Sequence, residues 1–343
     1  MTVMRKRIFA LLAGLSAIVV LTAACTGSPG PQQTVTKFET PSGSSSSTQP
    51  PESASASSSA SSKPAPPKHK RTVHVYSLNS DGAVYGIGMP IVLFFSPRPT
   101  NSTAFTKAVK VTVNGHPVNG AWFWEQPTAD EVHSHTIEAH YRTQQYWPAH
   151  SHVHVKIPIG GLSAGKNLVY DNRLTSLDFH IGAAHISTVN AATHRMRVTS
   201  DGHFVKSIKV SLGAAATPTY SGTKVVMQKG EDTPGTNKLR PQGAVRMQGP
   251  GYDEIVDWSV RITRSGEYIH AAPWNGLIGQ TSTSNGCTNL FTDAAKWYYS
   301  FARVGDVAIY PHTDGKPMPS WDGFGDWNVS WPQWQQGGLL LNH

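Results

Sequence analysis

The residues in this sequence best placed to do chemistry are Cys287 and His270. The cysteine stands in Ser284-Asn285-Gly286-Cys287-Thr288-Asn289. Gly286 permits a tight turn in which consecutive amide N–H groups converge on one point, an arrangement suited to a developing oxyanion. A free thiol is only about a few per cent ionised at neutral pH, so it needs an imidazole or the positive end of a helix beside it. His270 and a helix start at Thr292 are the candidates for those two roles. The chain has 2 cysteines, and the other, Cys25, belongs to a leader segment, so Cys287 is expected to be a free thiol. The competing reading is a buried inert cysteine, because the side chain packs as a small hydrophobe.

A second chemistry to weigh is metal binding. His133, His135, His140, His150, His152 and His154 crowd one stretch of the chain. Residues two apart on a strand share a face, so His150, His152 and His154 could converge. No carboxylate or cysteine completes a ligand set with diagnostic spacing, and solvated or pH-sensitive histidines are the expectation, with no metal and no organic cofactor. Asp253 and Glu254 are read as a solvated loop.

The elements that must position the thiol are mostly strands. Residues 73–76, 91–95, 109–113, 152–157 and 177–181 are short apolar or alternating runs, with turns at Asn114-Gly115 and Gly160-Gly161. No long helical period interrupts them, and the regular spacing predicts an immunoglobulin-like β-sandwich over residues 72–182. A second, β-rich domain is expected over 183–312. Its strands are 186–189, 195–199 and 204–210, with a hairpin turn at Asp201-Gly202. Val256, Trp258, Val260 and Ile262 then alternate with polar residues, and Ser265-Gly266 turns the chain into a return strand that ends at His270, at a sheet edge facing a cleft. Thr292 is expected to cap a helix that carries Asp293 in its first turn, an apolar stripe of Trp297, Tyr298 and Phe301, and Gly305 at its close. A tail over 313–343, rich in Trp, follows; Trp327, Trp331 and Trp334 are expected to pack on the catalytic domain rather than to stack on sugars. The predicted fold class is therefore mainly β, with one helix after the nucleophile.

The first 71 residues have a different texture. Arg5, Lys6 and Arg7 precede an apolar run over 8–21, too short for a membrane span, which ends in Thr22-Ala23-Ala24-Cys25. That ending resembles a lipobox. The resemblance implies a lipoprotein signal peptide over 1–24, a diacylglycerol on Cys25 and a membrane-anchored, exported protein. Residues 25–71, dominated by Ser, Pro and Thr, are expected to be a disordered tether. The formal net charge of +8 arises in part from these segments and suits anionic envelope polymers. Nucleic-acid binding is excluded by export and by the lack of interleaved basic and aromatic motifs.

His270-Ala271-Ala272-Pro273-Trp274, followed by Ser284-Asn285-Gly286-Cys287-Thr288-Asn289, resembles the active-site signature of the YkuD-type L,D-transpeptidases. Asn119-Gly120-Ala121-Trp122-Phe123-Trp124, Tyr252 with Val256-Asp257-Trp258, and Gly323-Phe324-Gly325-Asp326-Trp327-Asn328 resemble, in the same order, an Ig-like domain, a substrate-lining segment and a tail of actinobacterial members. The resemblance implies Cys287 as nucleophile, His270 as general base, the carbonyl of Ala271 as the group that orients the imidazole, and the Gly286 and Cys287 amides as oxyanion hole. It implies Tyr252, Trp274, Ser284, Asn285 and Asn289 as the substrate-binding set, although aromatics in a β-domain are commonly core. The partners implied are peptidoglycan stem peptides, with carbapenem-type β-lactams as covalent inhibitors. The sequence departs from the signature at Asn285, where a histidine is usual, and at Thr288, where a hydrophobe is usual. Asparagine takes no proton at neutral pH, which keeps open a second function: a non-catalytic or weakly active wall-binding lipoprotein on the same fold.

Overall fold

The structure, a computed structural model, describes residues 70–128, 134–230, 243–249 and 252–340. Cys25, the leader over 1–24, all but the last two residues of the 25–71 tether, and His133 lie outside the described residues.

The first domain is a sandwich of two sheets. One holds, in spatial order, Gly120–Glu125, Ile137–Thr143, Ile91–Ser96, Arg71–Ser77, Leu168–Tyr170 and Ser163–Gly165; the other holds Val84–Tyr85, Ser176–Ile181, His152–Lys156, Lys110–Val113 and His116–Pro117. The period-2 pattern sends Val73, Val75, Val153, Val155, Leu177 and Phe179 into one shared core and leaves their neighbours outside. Asn114-Gly115 is a hairpin turn with φ of 50° and 82°, the left-handed pair that such a turn requires. One short helix, Thr103–Ala108, interrupts the strands and drops Phe105 into the core.

His152 and His154 point outward from the sandwich and share Asp178, at 3.1 and 2.9 Å. His150 does not join them. Its φ of 56° places it off the strand, where it bonds Asp201 at 2.9 Å. His140 departs further from the expectation of solvated histidines, for it is fully buried among carboxylates.

The reason lies in the strand Ile137–Thr143, which is buried on both faces. Ile137, Ala139 and Tyr141 belong to the sandwich core, while Glu138, His140 and Arg142 face the tail. Trp334, fully buried, stacks on Phe123 at 4.7 Å and donates its indole N–H to the carbonyl of Ala121 at 2.9 Å. Arg142 lies 4.9, 5.3 and 4.5 Å from the rings of Trp327, Trp331 and Trp334. The three tail tryptophans thus pack on the first domain, not on the second as the sequence suggested. The tail touches the second domain through polar contacts: Asn328 with both the N–H and C=O of Thr223, and Asp322 with Ser265.

The second domain has a five-stranded sheet, in order His203–Lys209, Arg195–Ser200, His185–Asn190, Val307–Tyr310 and Gly222–Val225. A four-stranded sheet follows, in order Gln228–Lys229, Val260–Arg261, Tyr268–Ala271 and Thr288–Leu290. The helix Thr292–Phe301 contributes Ala295 and Tyr298 to the core these sheets share. Thr292 is its first helical residue, not its cap; Phe291 occupies the cap position and gives no side-chain bond. The helix ends at Phe301, before Gly305. The alternating run from Val256 to Ile262 is also split. Trp258 has φ of 55°, so the strand Tyr252–Val256 ends and Val260–Arg261 begins a different sheet.

Candidate active site

His270 sits on a strand, Tyr268–Ala271, that is internal to its sheet, flanked antiparallel by Val260–Arg261 and parallel by Thr288–Leu290. It is not the sheet edge the sequence suggested. The parallel register pairs His270 with Asn289, and with a period of two Cys287 falls on the same face. A cleft of about 520 Å³ opens on that face, lined by His270, Cys287, Tyr252, Trp274, Ser284, Asn285 and Asn289. Residues far apart in sequence therefore meet in one cavity.

His270 is 4% exposed and donates Nδ1–H to the carbonyl of Ala271 at 2.8 Å. This fixes the tautomer, so Nε2 carries the lone pair. Burial pulls the His270 imidazole down to about 4, only partly opposed by the Ala271 bond. The Cys287 thiol is half-buried, donates to the carbonyl of Gly266 at 3.7 Å, and is pushed up to about 11, chiefly by burial. An N–H from Tyr268 opposes that rise. The helix expected to help ionise the thiol begins only after the strand Thr288–Leu290 and Phe291. That spacer spans roughly 13 Å when extended, beyond the short reach of a helix terminus.

The turn before Cys287 is closed by side chains. Ser284 Oγ donates to the carbonyl of Cys287 at 2.6 Å and accepts from Gly286 N–H at 3.2 Å. Thr219 and Thr217 hydroxyls donate to the carbonyls of Gly286 and Ser284, at 2.8 and 3.0 Å. Gly286 has φ of 113°, which only glycine adopts without strain. Its amide, expected in the oxyanion hole, is turned onto Ser284. Asn289 is held by backbone bonds in both directions with Ser211, at 2.8 and 3.1 Å, and its buried Oδ1 has no hydrogen-bond partner among the described residues. Asn285 is exposed on the cleft wall. Trp274, 57% exposed, is wall and not core, and Tyr252 opens the hairpin strand Tyr252–Val256 paired with Val245–Gly249. Asp253 and Glu254 lie on that hairpin, not in a loop; Asp253 pairs with Arg246, and Glu254 lines the cleft.

The sequence reading missed a buried ion pair behind the thiol. Lys224, fully buried, bonds Glu267 and lies 3.9 Å from the ring of Tyr310. Glu267 also accepts the Tyr220 N–H at 2.7 Å. Burial lowers the lysine and raises the carboxylate, each opposed by its partner. Both charges act on Cys287, the carboxylate disfavouring the thiolate and the ammonium favouring it. The sole hint in the sequence is a charged residue within Thr223-Lys224-Val225-Val226.

Comparison with known proteins finds two domain matches. Residues 184–310 match the L,D-transpeptidase catalytic domain, YkuD, and residues 45–163 match a bacterial Ig domain. The chain is 32% identical over 264 residues to L,D-transpeptidase 2 of Mycobacterium tuberculosis, covering 76% of this chain. It spans about three fifths, 61%, of that relative's length. L,D-transpeptidase 5 of the same organism is 30% identical over 269 residues, 77% of this chain and 56% of that protein. Among solved structures, L,D-transpeptidase 3 of M. tuberculosis in complex with a faropenem-derived adduct superposes with a TM-score of 0.53 at 25% identity, over 69% of this chain and 97% of the other.

Proposed function

Because the chain belongs to the YkuD family of L,D-transpeptidase catalytic domains, with a bacterial Ig domain ahead of it, we propose that it crosslinks peptidoglycan through an acyl-enzyme on Cys287. The observation that carries this reading is the shared cleft, in which a tautomer-fixed imidazole and a free thiol line one cavity. His270 Nε2 takes the thiol proton as Sγ attacks the carbonyl at the L-centre of a diamino acid in a donor tetrapeptide stem. The C–N bond to the terminal D-alanine breaks, the imidazolium protonates the leaving amine, and a thioester remains. The side-chain amine of a second stem attacks that thioester and gives a proton to His270. The C–S bond then breaks, and the returning proton restores the neutral thiol. The product is a 3-3 crosslink between two diamino acids.

The Cys287 amide serves as oxyanion donor in this scheme, while Gly286 contributes the turn. Tyr252 and Trp274 wall the donor side, Ser284 and Asn289 brace the turn, and Asn285 meets the acceptor. The relative with a faropenem-derived adduct supports β-lactams of carbapenem or penem type as covalent inhibitors. Cys25, acylated at the lipobox-like site, anchors the protein to the cell membrane facing the wall. Mass spectrometry of the mature amino terminus tests the anchor, and an unacylated Cys25 would refute it.

The activity is tested with a disaccharide-tetrapeptide substrate, following D-alanine release and crosslinked dimer by mass spectrometry. Both products are expected from the native chain and neither from Cys287→Ala. A folded native chain that releases no D-alanine would favour the wall-binding, non-catalytic reading that Asn285 keeps open.

A further inference from the structure

A second cluster of titratable groups lies outside the cleft, where the strands Gly120–Glu125 and Ile137–Thr143 meet the 3-10 turn Gly325–Asn328 of the tail. His140 is at its centre. Its Nδ1 is 2.7 Å from Asp326 Oδ1 and 3.3 Å from Glu125 Oε1, and its Nε2 is 3.0 Å from Glu138 Oε2. Glu125 is 6% exposed, and Glu138, His140 and Asp326 are 0% exposed. Three carboxylates thus surround one imidazole away from water.

The carboxylates are not equivalent. Glu138 is fully engaged: it accepts from the Thr128 N–H and hydroxyl at 2.9 and 3.0 Å and bonds His135 at 2.7 Å, besides His140. A carboxylate that accepts the Nε2–H of a histidine presents the ring's Nδ1 lone pair in the opposite direction. That direction holds Glu125 and Asp326. Each of these has one buried oxygen, Oε1 and Oδ2, with no hydrogen-bond partner among the described residues. A proton on Nδ1 satisfies Asp326 Oδ1 and leaves those two oxygens desolvated, which is unfavourable. A divalent ion taken up by Glu125 Oε1, His140 Nδ1 and Asp326 Oδ2 would satisfy both oxygens, replacing the 2.7 Å hydrogen bond of Nδ1 with Asp326 Oδ1. Ligand atoms about 2.0–2.2 Å from a tetrahedral zinc lie roughly 3.3 Å apart, which is the separation of Glu125 Oε1 from His140 Nδ1. The three donor atoms lie within 4.8 Å of one another.

We propose that Glu125, His140 and Asp326 form a structural site for one divalent transition-metal ion of the zinc type, with Glu138 orienting the imidazole from behind. An imidazole with carboxylate oxygens is the donor set of such ions. The ion joins two strands of the first domain to a tail residue 186 positions further along the chain. The same tail segment holds Thr223 through Asn328, next to Lys224, and the turn at Ser265 through Asp322. Metal binding therefore fixes the tail that braces the back of the cleft.

The test uses the full chain in detergent carrying Cys287→Ala, His152→Asn and His154→Asn, so that neither the thiol nor the exposed histidine pair competes. After chelator treatment, titration with Zn²⁺ alone should show one equivalent bound per chain and a melting midpoint that rises with the logarithm of zinc concentration. Glu125→Gln and Asp326→Asn should each weaken binding at least tenfold. Without any further substitution, zinc should shift the ring nitrogen resonances of His140. Absence of a saturable equivalent, unchanged affinity in folded Glu125→Gln and Asp326→Asn, or a His140 ring that does not respond at saturating zinc would each overturn the site and leave a proton-shared cluster instead.

Discussion

The resting thiol and imidazole should both be neutral, and alkylation of Cys287 reads this directly. With the thiol at about 11 and the imidazole at about 4, separate ionisation of the two costs roughly 9–10 kcal/mol at 1.36 kcal/mol per pH unit. Mutual attraction of the charged forms, taken at an assumed contact separation of about 4 Å, would return about 4 kcal/mol at an effective dielectric of about 20. The ion pair is therefore disfavoured by about 5 kcal/mol, a population on the order of one in several thousand. The perturbation is pH and the assay is the rate of iodoacetamide modification, with Cys287→Ala as blank. The rate should climb about tenfold per pH unit from 6 to 10 with no plateau, because only thiolate reacts. Acylation by substrate should instead be flat across this range, because His270 is already unprotonated above about 4 and takes the proton during attack. An alkylation plateau at neutral pH, with a midpoint below 8, would mean a preformed thiolate–imidazolium pair and would refute the reasoning.

The ion pair behind the thiol gives an opposite-sign test: Lys224→Met should raise the Cys287 thiol and Glu267→Gln lower it, each by roughly one pH unit in the same alkylation assay. Shifts of the same sign would show that the two act only through stability. Asn285→His should speed acyl transfer more than acylation, since a histidine can take the proton that the incoming ammonium must lose; single-turnover rates of the two steps decide it, and unchanged transfer contradicts the assigned position. Trp334→Ala should cost about 3–5 kcal/mol, because a fully buried ring stacked on Phe123 is removed. A thermal or denaturant midpoint within error of the native chain would contradict the packing of the tail on the first domain.

Local pattern was enough to read most strands. Val153 and Val155 between outward histidines, or Asn114-Gly115 and Asp201-Gly202 with left-handed φ at both residues, are short-range signals that tertiary structure did not override. That Cys287 and His270 would line one cleft was legible from the resemblance of His270-Ala271-Ala272-Pro273-Trp274 and Ser284-Asn285-Gly286-Cys287 to a known signature, since the lone cysteine by itself does not choose among 16 histidines. What escaped depends on partners distant in sequence. His140 alternates with apolar residues like any half-buried strand residue, and only Asp326 reveals that the tail covers its face. Lys224 and Glu267, 43 residues apart, meet across the second domain. Trp258 continues an apolar alternation, yet its φ of 55° ends the strand. The helix after Cys287 was placed correctly, but its distance from the thiol was hidden by the intervening strand Thr288–Leu290.

The central claim is that Cys287 becomes an acyl-enzyme, and intact-protein mass spectrometry after brief mixing with a disaccharide-tetrapeptide donor, without acceptor, tests it most directly. The account predicts a covalent mass equal to the donor minus D-alanine, located on the peptide containing Cys287 and absent from Cys287→Ala. A donor-derived adduct that persists in Cys287→Ala, or D-alanine release with no thioester on Cys287 at any mixing time, would contradict it.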